Sequence, residues 1–147
     1  MFRLIASVSY PSASALALAA FALSACQSEK AEAPTPSGPE DFAMLCAPCH
    51  GATGVGDGPD AAGLAKAPAN LTLLSSANGG EFPMARVMGH IWGYTEVTGK
   101  SDPGRVMPDF GGLLDSELVL FDSGDGISTP TPSRLVDLAV YLKSLQN

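Results

Sequence analysis

One short run constrains this chain more than any other: Cys46-Ala47-Pro48-Cys49-His50. Two thiols separated by two residues lie on one helical turn, where both can add to the vinyl groups of a single porphyrin. The histidine that follows the second cysteine then lies under the iron and binds it through an imidazole nitrogen. The run therefore predicts one covalently attached haem c, held by Cys46, Cys49 and His50.

Two other uses of the same run explain the sequence less well. A structural zinc site needs four ligands, and the chain offers only His90 and Cys26 beyond the three in the motif. A thioredoxin-like redox site needs a βαβ pattern around the cysteines, and none surrounds them. Haem attachment remains the interpretation that uses every residue of the motif.

The size and charge of the chain limit its partners. Its 147 residues suit one domain. A bound haem would fill much of a core that has only one Trp. The formal net charge is −7 and no basic patch is visible, which argues against nucleic-acid binding. A protein partner with a basic docking surface is the better expectation.

The N-terminus is typical of an exported protein. Residues 1–25 form an apolar signal segment. Its last three residues and the cysteine after it, Leu23-Ser24-Ala25-Cys26, resemble the lipobox of bacterial lipoproteins, in which cleavage falls just before the cysteine. The resemblance implies that Cys26 carries a lipid anchor. An ordinary secretory signal or an uncleaved anchor helix is the alternative. Residues 26–37 then form a flexible tether, and the domain spans residues 38–147.

The motif lies on a predicted amphipathic helix that begins near Gly38. Ser37 and Glu40 have the spacing of a capping box at its start. The apolar and thiol side chains that follow fall on one helical face; they are Phe42, Leu45, Cys46 and Cys49. A haem attached to this face would lie in the core.

Two further helices and an extended segment are predicted after a glycine-rich loop at residues 51–63. Residues 83–92 have an apolar helical stripe that includes Met88, while His90 lies off the stripe. Residues 117–126 favour a short extended or β insertion that ends in a turn. The last helix is predicted to begin with Thr131 as N-cap and Pro132 in its first turn, and to pack near Phe42.

This order of elements resembles a class I mono-haem cytochrome c. A first helix enters C-x-x-C-H, and a middle helix, a Met107-Pro108 loop and an amphipathic last helix follow. The resemblance implies an all-α fold of a few helices around one covalently bound haem, here with the short β insertion near 117–126. It also implies that a backbone carbonyl near Pro68 fixes the ring of His50. The insertion, and the lack of a glycine before Pro68, depart from the pattern.

The resemblance also assigns the ligands of the iron. Cys46 and Cys49 would form the thioethers, His50 would be the proximal ligand, and Met107 would be the distal ligand. Met88 is the alternative distal ligand, although a methionine on an apolar stripe is more often part of a core. The other candidates for the sixth position are Met44, Met84 and His90.

Iron with both axial positions filled exchanges electrons and has no site for substrate. The sequence therefore predicts an electron carrier in a respiratory or photosynthetic chain. We expect a monomer, not an enzyme, lipid-anchored on the periplasmic side of a bacterial membrane. Its partners would be a redox donor and acceptor. The alternatives are a haem-bearing subunit of a redox enzyme, either a dehydrogenase or peroxidase-like, and a haem gas sensor.

Overall fold

The first helix, α1, begins at its predicted cap. A computed structural model describes residues 37–94 and 106–147 of the chain. In it α1 runs without a break through Gly38–Asp41, Phe42–Cys46 and Ala47–His50. The Ser37 backbone N–H donates to Glu40 Oε2 over 2.7 Å, and the reciprocal bond of the capping box is also present. These bonds, the backbone one foremost, lower the pKa of the Glu40 carboxyl.

The middle segment of α1, Phe42–Cys46, is a π-helical turn. The Ala47 N–H donates to the Phe42 carbonyl five residues earlier, so this turn holds one more residue than an α-helical turn. The wide turn comes directly before Pro48, which has no N–H and whose ring would press on the Met44 carbonyl in a regular α-helix. Pro48 is therefore the physical reason for the wide turn, which regular helical spacing did not predict.

Two more helices complete the helical part of the described residues. Helix α2 spans Met84–Trp92 and α3 spans Ser133–Ser144. Single 3₁₀ turns occur at Pro59–Ala61, Leu71–Leu73, Ser76–Asn78 and Gly111–Leu113. The apolar stripe predicted for α2 is confirmed by its buried residues Val87, Met88 and Ile91, while His90 is exposed.

Helices α1 and α3 pack closely against each other, as predicted. The rings of Phe42 and Tyr141 lie 5.3 Å apart between centroids. The core between the elements consists of apolar residues from all three helices and two connecting segments: Phe42, Cys46, Phe82, Val87, Met88, Ile91, Leu114, Leu135, Leu138, Ala139 and Leu142. Beyond α3, the Gln146 side chain donates to the Leu71 carbonyl over 2.8 Å, and the Asn147 N–H donates to the Thr72 carbonyl over 3.2 Å.

The prediction of an all-α fold is wrong. The described residues form a small mixed fold, because a two-stranded antiparallel sheet stands beside the three helices. Strand β1 spans Leu118–Asp122 and β2 spans Ser128–Pro132, with Val119 opposite Thr131. An extended segment was predicted near 117–126, but the second strand, Ser128–Pro132, was not. Thr131 and Pro132, predicted to begin the last helix, belong to β2.

The Asp122 side chain organises the turn between the strands. Its Oδ1 accepts the backbone N–H groups of Gly124, Asp125 and Gly126 over 2.8, 3.1 and 3.0 Å. These donors, that of Gly124 foremost, favour the charged carboxylate and lower the pKa of Asp122. The turn thus fixes the register that the alternating threonines and prolines of β2 alone would leave ambiguous.

Replacing Asp122 with asparagine is expected to lower the melting temperature at neutral pH. A carboxyl whose pKa folding lowers stabilises the fold above its unfolded-state pKa of about 3.9. That stabilisation is lost as the pH falls through the lower folded-state pKa. Thermal unfolding should therefore show a lower melting temperature for Asp122→Asn than for the parent chain at neutral pH. The difference between the two melting temperatures should shrink at acid pH. Asp115→Asn, at an exposed position of the preceding loop, is the control, and an undiminished difference in acid would contradict the mechanism.

Candidate functional site

The cysteines of the motif lie where α1 meets the core. Cys46 is 6% exposed and belongs to the core, whereas Cys49 and His50 are half-buried at the end of the helix. Both cysteines are free thiols. The predicted inward direction is confirmed for Cys46, which belongs to the core, whereas Cys49 is not among the residues that pack against the core.

The ring of His50 is held by one hydrogen bond to the backbone. His50 Nδ1 lies 2.9 Å from the carbonyl oxygen of Ala69. A carbonyl only accepts, so Nδ1 carries the proton and donates it, which leaves Nε2 unprotonated in the neutral ring. Nε2 is thus free to bind a metal. The carbonyl expected near Pro68 is found on the next residue, Ala69.

The glycine-rich loop folds back onto the end of α1. The Gly56 N–H donates to the His50 carbonyl over 2.7 Å, and the Gly58 N–H donates to the Cys49 carbonyl over 3.1 Å. The Gly54 carbonyl in turn accepts the Leu71 N–H over 2.7 Å. These bonds satisfy the last carbonyls of the helix and join the motif to the segment that contains Ala69.

Gly58 brings this loop into close contact with the backbone of α1. A Cβ at this position would lie 2.3 Å from the Pro48 carbonyl oxygen and 2.6 Å from that of Ala47. Only a residue without a side chain allows the loop to lie directly on the backbone of the motif. The loop is thus packed on the helix that carries the thiols.

The environment of Cys46 keeps its thiol protonated. Burial raises its pKa to about 12, and the charges of Asp41 and Cys49 act in the same direction. A thiol in this state is a poor nucleophile and a poor metal ligand, since both roles need the thiolate.

The predicted distal ligands lie in different surroundings. Met88 is 7% exposed inside the core cluster, and Met107 is partly buried at its margin. Met44 is 58% exposed on α1, and Met84 is half-buried. Cys46 and Met88 therefore belong to the same core cluster, and Met107 packs against that cluster.

The sequence analysis missed a buried ion pair close to the motif. Asp41 is fully buried, and Arg134 of α3 donates from Nε to Asp41 Oδ2 over 3.1 Å and from a terminal nitrogen to Oδ1 over 2.5 Å. Arg134 also donates to the Leu113 carbonyl over 2.7 Å. Asp41 lies in the first turn of α1, where the helix dipole alone favours a carboxylate. Its sequence context therefore gave no indication of a partner 93 positions away.

The predicted signal segment, the lipid-bearing Cys26 and nearly all of the tether lie outside the described residues. So does the start of the loop that precedes Met107. Of the helices in residues 37–94 and 106–147, none is both long and apolar enough to cross a membrane.

Within the part of the chain that the structure describes, no three His, Cys, Asp or Glu side chains are grouped as ligands for one metal ion. Comparison with known protein families, with curated proteins and with solved structures finds no match to this chain.

Proposed function

We propose that this chain is an electron carrier of the cytochrome c type, with one haem c covalently bound through Cys46 and Cys49. The observation that carries the proposal is the state of His50, whose Nδ1 is bonded to the Ala69 carbonyl so that Nε2 is available. Ligating histidines characteristically donate their other ring nitrogen in this way. When bound, the haem supplies a one-electron Fe(III)/Fe(II) couple.

The residues around the motif fit this group chemically. Cys46 and Cys49 are both free thiols, Cys46 buried in the core and Cys49 half-buried near the end of α1. The sulfur of a thioether carries no charge, so a bonded Cys46 would suit its buried position better than the thiolate that zinc ligation needs. The apolar core beside Cys46 supplies the dry surroundings that a porphyrin prefers.

The chain's own residues hold and orient the proposed site. The Ala69 carbonyl keeps the proton of His50 on Nδ1, and Gly56 and Gly58 fix the backbone of the motif through the hydrogen bonds described above. Met107, at the margin of the core, is the proposed distal ligand, with Met88 as the alternative. If His50 and one of these methionines held the haem iron, no position would remain for substrate at the metal, which would favour electron transfer over catalysis.

The proposed setting follows from the charge and the N-terminus. A lipid on Cys26 would tether the domain to the periplasmic side of a bacterial membrane. A net charge of −7 favours redox partners with basic docking surfaces.

The test is to produce the full chain in a bacterium with haem-attachment machinery and record its mass and visible spectrum. We expect a mass increase of one haem that survives acid extraction and is lost when both cysteines are replaced by serine. The ferric protein should be low-spin, with the methionine–iron charge-transfer band lost in Met107→Leu and kept in Met88→Leu. Both changes conserve side-chain volume, so each leaves the fold largely intact.

Two results would contradict the proposal. A chain without covalent haem would overturn it entirely. A high-spin iron that binds carbon monoxide readily in the untreated protein would instead favour a sensor or a redox-enzyme subunit. Mass spectrometry of the mature N-terminus tests the anchor separately, since an unmodified Cys26 rules out the lipid tether.

A further inference from the structure

The two free edges of the β1–β2 hairpin are chemically different. In the register observed, Pro130 lies opposite Leu120 and Pro132 lies opposite Leu118. Proline has no N–H, so these cannot be the pairs that exchange two backbone hydrogen bonds. The bonded pairs are therefore the alternate ones, Val119 with Thr131 and Phe121 with Thr129.

A hydrogen bond just beyond the strands agrees with this alternation of bonded and non-bonded pairs. The Ser133 N–H donates to the Glu117 carbonyl over 2.9 Å, and this pair lies two residues before Val119 and two after Thr131. In an antiparallel ladder the residues between bonded pairs direct their N–H and C=O groups away from the partner strand. On β2 these residues are Pro130 and Pro132, so the outer edge of β2 lacks donors at both positions.

The outer edge of β1 is open by the same geometry. The N–H and C=O groups of Leu118 and Leu120 point outward, and among the described residues no hydrogen bond satisfies them. Their side chains are 60% and 74% exposed, and Ile127 beside the turn is 64% exposed. An edge with unpaired backbone groups and exposed apolar side chains is a template for an added strand.

The face of the hairpin that carries Phe121 is packed against the domain. Phe121 is half-buried and packs against the core, which fixes the hairpin on the domain. The open edge is therefore held on a rigid base and not on a free loop.

Charge decides which occupant fits this edge. The segment 106–133 contains five carboxylates, Asp109, Asp115, Glu117, Asp122 and Asp125, and no Lys, Arg or His. A second copy of the chain would bring two such acidic hairpins together, and each chain has a net charge of −7. An extended segment with basic ends would meet complementary charge at both ends of β1.

We infer that the outer edge of β1 is a docking site where a partner protein adds an extended segment, with alternating apolar side chains and basic flanks, as a third strand. Backbone hydrogen bonds to Leu118 and Leu120 provide the pairing, and Glu117, Asp122 and Asp125 select a basic partner. The inference does not depend on the proposed haem.

The test measures the binding of a panel of synthetic peptides to the full chain. Each peptide has a central stretch of alternating valine and threonine, with two lysines at its N-terminus and two at its C-terminus. We expect saturable binding that slows amide hydrogen exchange at Leu118 and Leu120 and weakens as salt screens the charges. Leu120→Pro removes one outward N–H without touching the β1–β2 bonds and should weaken binding by roughly tenfold or more. Leu120→Thr keeps that N–H and is the matched control for loss of the leucine side chain.

A second variant covers the case in which Leu120→Pro disturbs the hairpin. Glu117 has an exposed side chain, and its backbone carbonyl makes the bond to Ser133, so Glu117→Lys reverses charge without removing that bond. It should weaken the lysine-flanked peptides severalfold, and glutamate-flanked peptides should not bind the parent chain. Failure of the whole panel to bind, equal binding by Leu120→Pro, or self-association with Leu118 and Leu120 protected in the absence of peptide would overturn the inference.

Discussion

Replacing Arg134 with methionine is expected to lower the free energy of unfolding by about 3–5 kcal/mol. Asp41 is fully buried and Arg134 is only 15% exposed, so the substitution leaves a carboxylate without its counter-charge away from water. The substitution also removes the donor to the Leu113 carbonyl. Denaturant unfolding followed by circular dichroism measures the loss.

The double variant Asp41→Asn with Arg134→Met distinguishes an unpaired buried charge from simple loss of packing. It should be more stable than Arg134→Met alone, since no buried charge remains. Lys143→Met, at an exposed position of the same helix, is the control and should change stability by no more than about 0.5 kcal/mol. A double variant as unstable as the single one would show that the ion pair is not the cause.

Replacing Gly58 with alanine is expected to lower the free energy of unfolding by about 1–3 kcal/mol. The backbone of Gly58 has φ −64° and ψ 155°, which any residue adopts, so the effect is steric and not conformational. The added methyl would overlap the Pro48 and Ala47 carbonyl oxygens, and both atoms belong to backbone that cannot rotate away. The loop must therefore lift from the helix that carries the motif.

Gly112→Ala is the matched control for this prediction. A Cβ at Gly112 meets no other atom within 4 Å, so this substitution should leave stability nearly unchanged. The unfolding midpoints of the two variants give the comparison. The His50 ring provides a second observation: lifting the loop should weaken the Nδ1 bond to Ala69, which NMR of the imidazole proton detects. Equal midpoints for both variants would contradict the close approach of the loop.

Local patterns predicted most of the helical part of the fold. The capping box of Ser37 and Glu40 and the buried stripe on α2 involve residues within about two turns of each other, so spacing alone determines them. The inward direction of Phe42, Leu45 and Cys46 on α1 was also predicted, although the wide turn at Phe42–Cys46 was not. That turn depends on how the backbone accommodates Pro48, which periodicity does not describe.

Long-range contacts were beyond the sequence analysis. Strand β2 contains Pro130 and Pro132, which usually argue against a strand, and it pairs only because both prolines face the free edge. The partner of Asp41 lies 93 positions away on α3. At the candidate site, Cys46, Cys49 and His50 were predicted from the motif. The carbonyl oxygen that holds the His50 ring could be identified only from the path of the chain around Ala69.

The contacts of the last described residues govern the order in which the domain can fold. Gln146 and Asn147 bond to the segment around Leu71 and Thr72, and α3 covers the start of α1. Residues 37–94 therefore cannot reach their final packing until Asn147 has been synthesised, so the domain forms only after the whole stretch is available. Closing such a long loop costs chain entropy before these contacts form, so early folding of α1 during synthesis is unfavourable.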